Sequence, residues 1–297
     1  MAPTPRAELG IPTRWRFLVP VLLCAACAAP SGPNDQAPRS GIPVLVYHEI
    51  RPDGSQAGET VISLARFNEQ MRYLAERGYT TLSIGELVAF MQGKPLRARR
   101  PIVLTFDDGW KSVLQALPVL EEHGFKASFW IISHTGIGDP HLDWSDVVGI
   151  AANPNFEIGS HTATHPWDPV ENLVTWADGR VPGKGLPEIS FELEASRREL
   201  ERRLSRPIRY LAWPRGWYND ALIERAREAG YEATLTTDEG VNSGGDDAYR
   251  IKRLFVDGAC DLQAFERMLR EARYRVCQTS RRPTQGSSPY PYQERNR

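Results

Sequence analysis

The chain has 297 residues, 36 basic against 37 acidic side chains, a formal net charge of −1 and 41% hydrophobic content. That is enough apolar material for one large α/β domain or two small ones. The near-cancellation of charge argues against the broad positive field that nucleic-acid binding draws on, so no nucleic-acid partner is expected.

From the N-terminus, Arg14 and Arg16 precede an apolar run from Phe17 to Ala29 that is broken only by Pro20, and a stretch rich in Pro, Ser, Gly and Asn follows from Pro30 to Ser40. The run is shorter than the roughly 20 apolar residues of a bilayer span. Its charged start, short apolar middle and small-residue end describe a secretory signal, so residues 1–28 read as a signal peptide and 29–40 as a linker. Cys27 after Ala25-Ala26 resembles the acylated cysteine of a bacterial lipoprotein signal, although Cys24 stands where such signals usually carry Leu. Cleavage after Ala26-Cys27-Ala28 without a lipid is the competing outcome. Either route predicts export, to the periplasm or to a lipid anchor on the outer membrane.

Four short runs are β-rich and apolar on both faces: Val44 to Tyr47, Ile102 to Phe106, Ser128 to Ile132 and Tyr210 to Trp213. Such runs suit parallel strands covered by helices. Between them lie residues at helical spacing. One set is Leu64, Phe67, Met71 and Leu74 behind Ser63 as N-cap; a second is Val113, Leu114, Leu117 and Leu120; a third is Leu222, Ile223 and Ala226 behind Asn219 or Asp220. Each set ends at a glycine, Gly78, Gly124 or Gly230, that reads as the C′ residue before a new strand. The alternation predicts βαβ units in a closed or nearly closed barrel, with an open doubly wound sheet as the alternative. Either way, chemistry belongs at the C-terminal ends of the strands.

Pro166 to Glu188 lacks a clear period and predicts a long loop beside His165. Residues 278–297, rich in Ser, Pro, Gln and Arg, predict a disordered tail, which leaves 41–277 as the folded domain. Cys260 and Cys277 are the two cysteines beyond the signal, and an oxidising compartment would allow them to pair.

Two segments carry candidate chemistry. In Ile102-Val103-Leu104-Thr105-Phe106-Asp107-Asp108-Gly109-Trp110 a β-run ends abruptly in two carboxylates, which places them at the catalytic rim. Neighbouring side chains there point in different directions, so one can bind a cation while the other faces a reacting water. In Glu157-Ile158-Gly159-Ser160-His161-Thr162-Ala163-Thr164-His165-Pro166 the two histidines are four apart, a spacing that on a helical turn brings both imidazoles to one face. An HExxH pattern is missing from the sequence, so a zinc-protease reading has no support. Asp108, His161 and His165 together offer a ligand set that leaves room for water and substrate, as in a catalytic metal site. Two imidazoles and a carboxylate suit zinc, and also cobalt, nickel or iron. Asp107 is then the candidate general base.

Thr105-Phe106-Asp107-Asp108-Gly109 with His161-Thr162-Ala163-Thr164-His165 resembles the first two motifs of the polysaccharide deacetylases of carbohydrate esterase family 4, the NodB-homology group. Trp213-Pro214-Arg215-Gly216-Trp217-Tyr218 resembles that family's Pro-aromatic-Gly motif. The resemblance implies a distorted (β/α) barrel, Asp107 as base, Asp108, His161 and His165 as metal ligands, and the Arg215 backbone N–H as an oxyanion donor. Pro214, Gly216, Trp217 and Tyr218 would contribute to substrate binding. Two departures matter. Arg215 stands where the family usually has an aromatic residue, and Ala212 where many members have an arginine that supports the base, so Arg250 or Arg253 is expected to substitute.

Many members also use a late Leu-x-His histidine as general acid, whereas here no histidine follows His165. Of His48, His123, His134 and His141, His48 lies at a strand end in Tyr47-His48-Glu49. That arrangement resembles the branch acting on the poly-N-acetylglucosamine of biofilms, in which such a histidine is the acid. The implied activity is hydrolysis of N-acetyl groups on a hexosamine polysaccharide: poly-N-acetylglucosamine first, else peptidoglycan or a chitin-like chain. The alternatives are an O-acetyl esterase acting on a glycan and a non-catalytic exported glycan-binding protein.

Overall fold

The computed structural model describes residues 41–53 and 57–277. The signal peptide, Cys27, the linker and the C-terminal tail lie outside the described residues.

Parallel strands form a curled sheet. β1 (Val44–Tyr47) pairs on one side with β10 (Leu254–Phe255) and on the other with β5 (Pro101–Phe106). β6 (Ala127–Ile131), β7 (Phe156–Ser160), β8 (Tyr210–Ala212) and β9 (Ala233–Leu235) follow in that order, while β4 (Thr80–Leu82) pairs with the first half of β5. The two ends of the sheet meet through a single bridge: Leu235 in β9 is matched to Ile251, which lies three residues before β10, and Thr236 N–H donates to the Ile251 carbonyl at 2.9 Å. The expected barrel is thus a curled sheet with one irregular seam. β2 (Glu49–Arg51) and β3 (Val61–Ser63) form a separate two-stranded sheet that no sequence signal indicated.

Strand parity explains why the runs are apolar on both faces. Leu45, Tyr47, Ile102, Leu104, Phe106, Phe129 and Ile158 enter the main core cluster with the surrounding helices. Their neighbours Val44, Val103, Trp130, Ala212 and Leu235 enter a second cluster with Ile84, Leu87, Val88 and Met91 of α2 (Ile84–Met91). Side chains on this second, inner parity include Asp107 after Phe106 and His161 two residues beyond Gly159. Gly159 is needed for packing, because a Cβ there would lie 1.9 Å from the Trp130 ring.

The predicted helix signals appear at their places. Ser63 caps α1 (Leu64–Glu76) by accepting from Arg66 N–H at 3.2 Å, and Asn219 caps α8 (Asp220–Glu228) by accepting from Leu222 N–H at 2.9 Å. Gly78, Gly124 and Gly230 have φ of 69°, 64° and 84°, the left-handed conformation of a C′ residue. The middle helix is shorter than its apolar spacing suggests: Lys111–Gln115 is a 3-10 turn, and α3 (Leu117–Glu122) begins at Leu117-Pro118. Pro118 lacks an N–H and fits only a first turn.

The expectation of an unbroken loop from Pro166 to Glu188 is corrected. Residues Leu173–Ala177 form α5, capped by Asn172, whose Oδ1 accepts from Val174 and Thr175 N–H, and Leu186–Ser190 form α6. A five-residue helix is too short to show a period, so its cap was the readable sign. The remaining helices are α4 (Trp144–Ala152), α7 (Ser196–Leu204) and α9 (Leu262–Glu271). Cys260 and Cys277 are joined by a disulfide that closes the segment containing α9.

Candidate active site

Asp107 follows β5 directly and is 3% exposed. Its carboxylate receives a two-pronged contact from Arg253, Nη1 to Oδ1 at 2.7 Å and Nη2 to Oδ2 at 2.8 Å. Arg253 is 1% exposed, and its Nε donates to the Thr236 carbonyl at 2.7 Å. Of the two arginines considered as support for the base, Arg253 fills the place, while Arg250 pairs with Asp220 and Asp247 on the surface. Burial alone would push the Asp107 carboxyl up; the charge of Arg253, then His161, and the Arg253 hydrogen bonds outweigh it and hold the carboxyl below its ordinary range.

Asp108 turns away because its φ is 68°. Its Oδ2 accepts from Trp110 Nε1 at 3.1 Å, and its Oδ1 lies 3.3 Å from His161 Nε2 and 3.5 Å from His165 Nε2. One ligand atom from each of Asp108, His161 and His165 lies within 4.8 Å of the others. His161 Nδ1–H donates to the Ala212 carbonyl at 2.8 Å, which fixes the ring and leaves Nε2 facing Asp108. Burial, followed by the charge of His161, lowers His165 to about 4, so its imidazole is neutral with a lone pair to offer. An open set of two imidazoles and a carboxylate, each oriented by a further hydrogen bond or by burial, fits a divalent transition metal.

The two histidines share this site without a helix. His161 follows β7, and Thr162 and His165 have φ of 67° and 58°, so a left-handed turn replaces the helical turn expected from the four-residue spacing. Positive φ at non-glycine residues costs on the order of 1–3 kcal/mol each and persists where neighbours over-determine it.

His48, on the residue after β1, comes to the same pole. The charges of Asp108, Asp107, Arg253 and His161 act on it, its ring centroid is 5.0 Å from that of Phe255, and its Nδ1 is buried without a hydrogen-bond partner. Burial lowers its pKa, with the two aspartates pulling the other way. His141 stacks, with ring centroids 4.6 Å apart, on Trp110, whose Nε1 donates to Asp108.

In the third motif Arg215 has φ of 53°, and its carbonyl accepts from Thr237 Oγ1 at 3.1 Å. Gly216 has φ of 70°, and a Cβ there would lie 2.4 Å from Thr237 N, so this turn admits only glycine. Pro214 is buried, Trp217 is 8% exposed within the core, and Tyr218 Oη donates to Asp238 at 2.6 Å. These positions leave little aromatic face for a ligand. Trp167, two residues beyond His165, is 52% exposed, and the Arg215 guanidinium lies between it and Trp217, 5.1 and 5.5 Å from the two ring centroids.

The polysaccharide deacetylase family model matches residues 95–234, which contain all three motifs. A Bacillus subtilis (strain 168) protein named for polysaccharide deacetylase, YxkH, is 25% identical over 225 residues, covering 75% of this chain and 74% of that protein. The poly-β-1,6-N-acetyl-D-glucosamine N-deacetylase of Escherichia coli (strain K12) is 24% identical over 277 residues, and the match spans 76% of this chain but only 40% of that longer enzyme. Among solved structures, IcaB from Ammonifex degensii superposes with a TM-score of 0.67 at 25% identity, covering 79% of this chain and 98% of IcaB. The Streptococcus pyogenes deacetylase PplD shares the fold at a TM-score of 0.66 and 22% identity, over 77% of this chain and 98% of PplD. With its fold, motif order and buried site in agreement, this chain carries a polysaccharide deacetylase domain, matched over residues 95–234.

Proposed function

We propose that the protein removes N-acetyl groups from a hexosamine polysaccharide, releasing acetate and a free amine, with poly-β-1,6-N-acetylglucosamine as the substrate. The observation that carries the reading is the coexistence, at one pole of the barrel, of a buried carboxylate locked to Arg253 and an Asp108, His161, His165 cluster of metal-binding geometry. The name of the Escherichia coli relative and the placement of His48 support the substrate.

Asp108, His161 and His165 would hold the ion, zinc in the first instance. When bound, a divalent ion supplies Lewis acidity that polarises the amide carbonyl and acidifies water, which a carboxylate as weakly basic as Asp107 requires. Asp107 accepts the proton of the attacking water while Arg253 keeps it ionised and oriented. The N–H of Arg215 donates toward the developing oxyanion. His48 in its protonated form donates to the departing nitrogen, so the C–N bond breaks to a neutral amine, and the proton taken up by Asp107 returns to solvent as His48 is recharged. Export is part of the proposal, supported by the apolar segment after Arg16 and by the Cys260–Cys277 disulfide.

The test is to incubate the purified protein, with and without chelator, with β-1,6-linked and β-1,4-linked N-acetylglucosamine oligomers and with an O-acetylated glycan, and to quantify amine and acetate. Equal amine and acetate from the β-1,6 oligomer, abolished by chelator and restored by zinc, is expected. Acetate without amine would indicate an esterase, and no chelator-sensitive release from any substrate would reject the reading. His48→Ala should slow amine release by about 10²–10⁴-fold with zinc affinity unchanged, the span general acid catalysis usually contributes; wild-type rates would remove His48 from the mechanism.

Trp167, two residues beyond His165 in sequence, exposes an aromatic face next to Arg215, and an indole face complements the C–H face of a pyranose. Trp167→Ala should raise KM for oligomers several-fold while leaving hydrolysis of a small acetyl ester unchanged, roughly what losing about 1 kcal/mol of stacking predicts.

A further inference from the structure

One carboxylate holds the turn that carries both histidines. α6 and α7 form a continuous helical stretch interrupted by a π-helical bulge at Phe191–Ala195, and Glu192 on that bulge is 3% exposed. Its Oε2 accepts from the N–H groups of Ala163 at 2.9 Å and Thr164 at 2.8 Å, and its Oε1 accepts from Thr164 Oγ1. The Glu192 carbonyl also accepts from Ala163 N–H at 3.1 Å. Ala163 and Thr164 lie between the two histidines, flanked by the left-handed residues Thr162 and His165.

The bulge is fastened in turn. The Leu193 carbonyl accepts from Tyr231 Oη at 2.8 Å, and Ser196 Oγ lies 2.8 Å from Ser160 Oγ at the end of β7. Single-turn π-bulges recur at functional sites because the extra residue re-aims a side chain. Here the re-aimed side chain reaches across to the segment carrying the ligands, while Glu192 itself lies outside the ligand cluster.

We propose that Glu192 is a positioning residue for metal binding: by fixing residues 162–165 in their left-handed turn it sets the separation and angle of His161 and His165. The inference rests on reading Asp108, His161 and His165 as ligands. A carboxylate is suited to the task because it only accepts, and it faces three donors. Glutamine would offer one oxygen and turn an NH2 group toward a donor.

The experiment is zinc titration of the full chain against a chromophoric chelator, well below the melting temperature and without substrate. Glu192→Gln is expected to weaken zinc binding by roughly 10- to 100-fold, the range for residues that orient ligands. Thr164→Val, which deletes only the hydroxyl donor, should weaken it less and in the same direction. Glu194→Gln, at a half-buried position paired with Arg198, should leave affinity unchanged. His165→Ala, which removes a ligand, is the reference for full loss. Wild-type affinity in Glu192→Gln beside a loss in His165→Ala overturns the positioning role alone. Wild-type affinity in His165→Ala overturns the ligand reading and the inference with it. If Glu192→Gln does not fold, wild-type affinity in Thr164→Val overturns the role.

Discussion

Asp107→Asn is expected to lower amine release by at least about 10²–10⁴-fold while zinc affinity stays at the wild-type level, the loss typical for removing a positioned general base. The amide is isosteric and can still accept one hydrogen bond from Arg253, but it leaves that buried guanidinium without its charge partner. The melting temperature should therefore fall as well, and both measurements are made well below it. The amide cannot take a proton from water. Asp108→Ala should instead lose turnover and zinc together, because Asp108 belongs to the ligand cluster, facing both imidazoles at 3.3 and 3.5 Å. Measuring zinc affinity and amine release on both variants separates the roles. Retained turnover in Asp107→Asn, or retained zinc affinity in Asp108→Ala, would reverse the assignment of two adjacent carboxylates.

Arg253→Met is expected to destabilise the protein by about 3–5 kcal/mol, the usual cost of breaking a buried ion pair and leaving one charge uncompensated. For a domain of this size the melting temperature should fall by roughly 10 °C or more. The pH dependence gives a sharper reading. In the wild type the Asp107 carboxyl is held below its ordinary value, so its stabilising contribution is present at neutral pH and is lost as pH falls through the folded value. In the variant burial opposes the charge without the arginine to offset it, and the folded carboxyl should rise. Its penalty is then full at neutral pH and disappears as pH falls through the raised value toward the ordinary carboxylate range, where both folded and unfolded states are protonated. The two stability curves should therefore converge on acidification. A constant gap in chelator-treated protein would mean that Arg253 contributes through packing and its bond to Thr236 rather than through Asp107.

Much of this site could be read from local residue patterns because its parts occupy strand ends. A β-run that stops at Asp107-Asp108-Gly109, a second that stops at Ser160-His161, and a third that stops at Tyr47-His48 each announce a side chain at the rim. Parity then decides direction: residues alternating with Phe106 and Ile158 in the outer core must face inward. The spacing of His161 and His165 suggested a helix, and the turn that actually joins them rests on positive φ at Thr162 and His165, which local propensity disfavours. Trp217 looked suited to the cleft by its place in the motif; burial took it, and exposure fell to Trp167 in a segment without periodicity.

By itself the sequence determined the strands β1, β5, β6 and β8, the N-caps of α1 and α8, the C′ glycines Gly78, Gly124 and Gly230, the order of the three motifs, and the residue types that can hold a metal and move a proton. Those properties depend on contacts within a few residues, where spacing and steric preference act directly. Tertiary structure alone decided that Arg253 and not Arg250 holds Asp107 from 146 residues away, that the Ala212 carbonyl orients His161, and that Glu192 clamps the turn between the histidines. Such partners are chosen by which side chains the curled sheet brings to one pole, and nothing in the neighbouring sequence distinguishes a buried arginine from one that pairs on the surface.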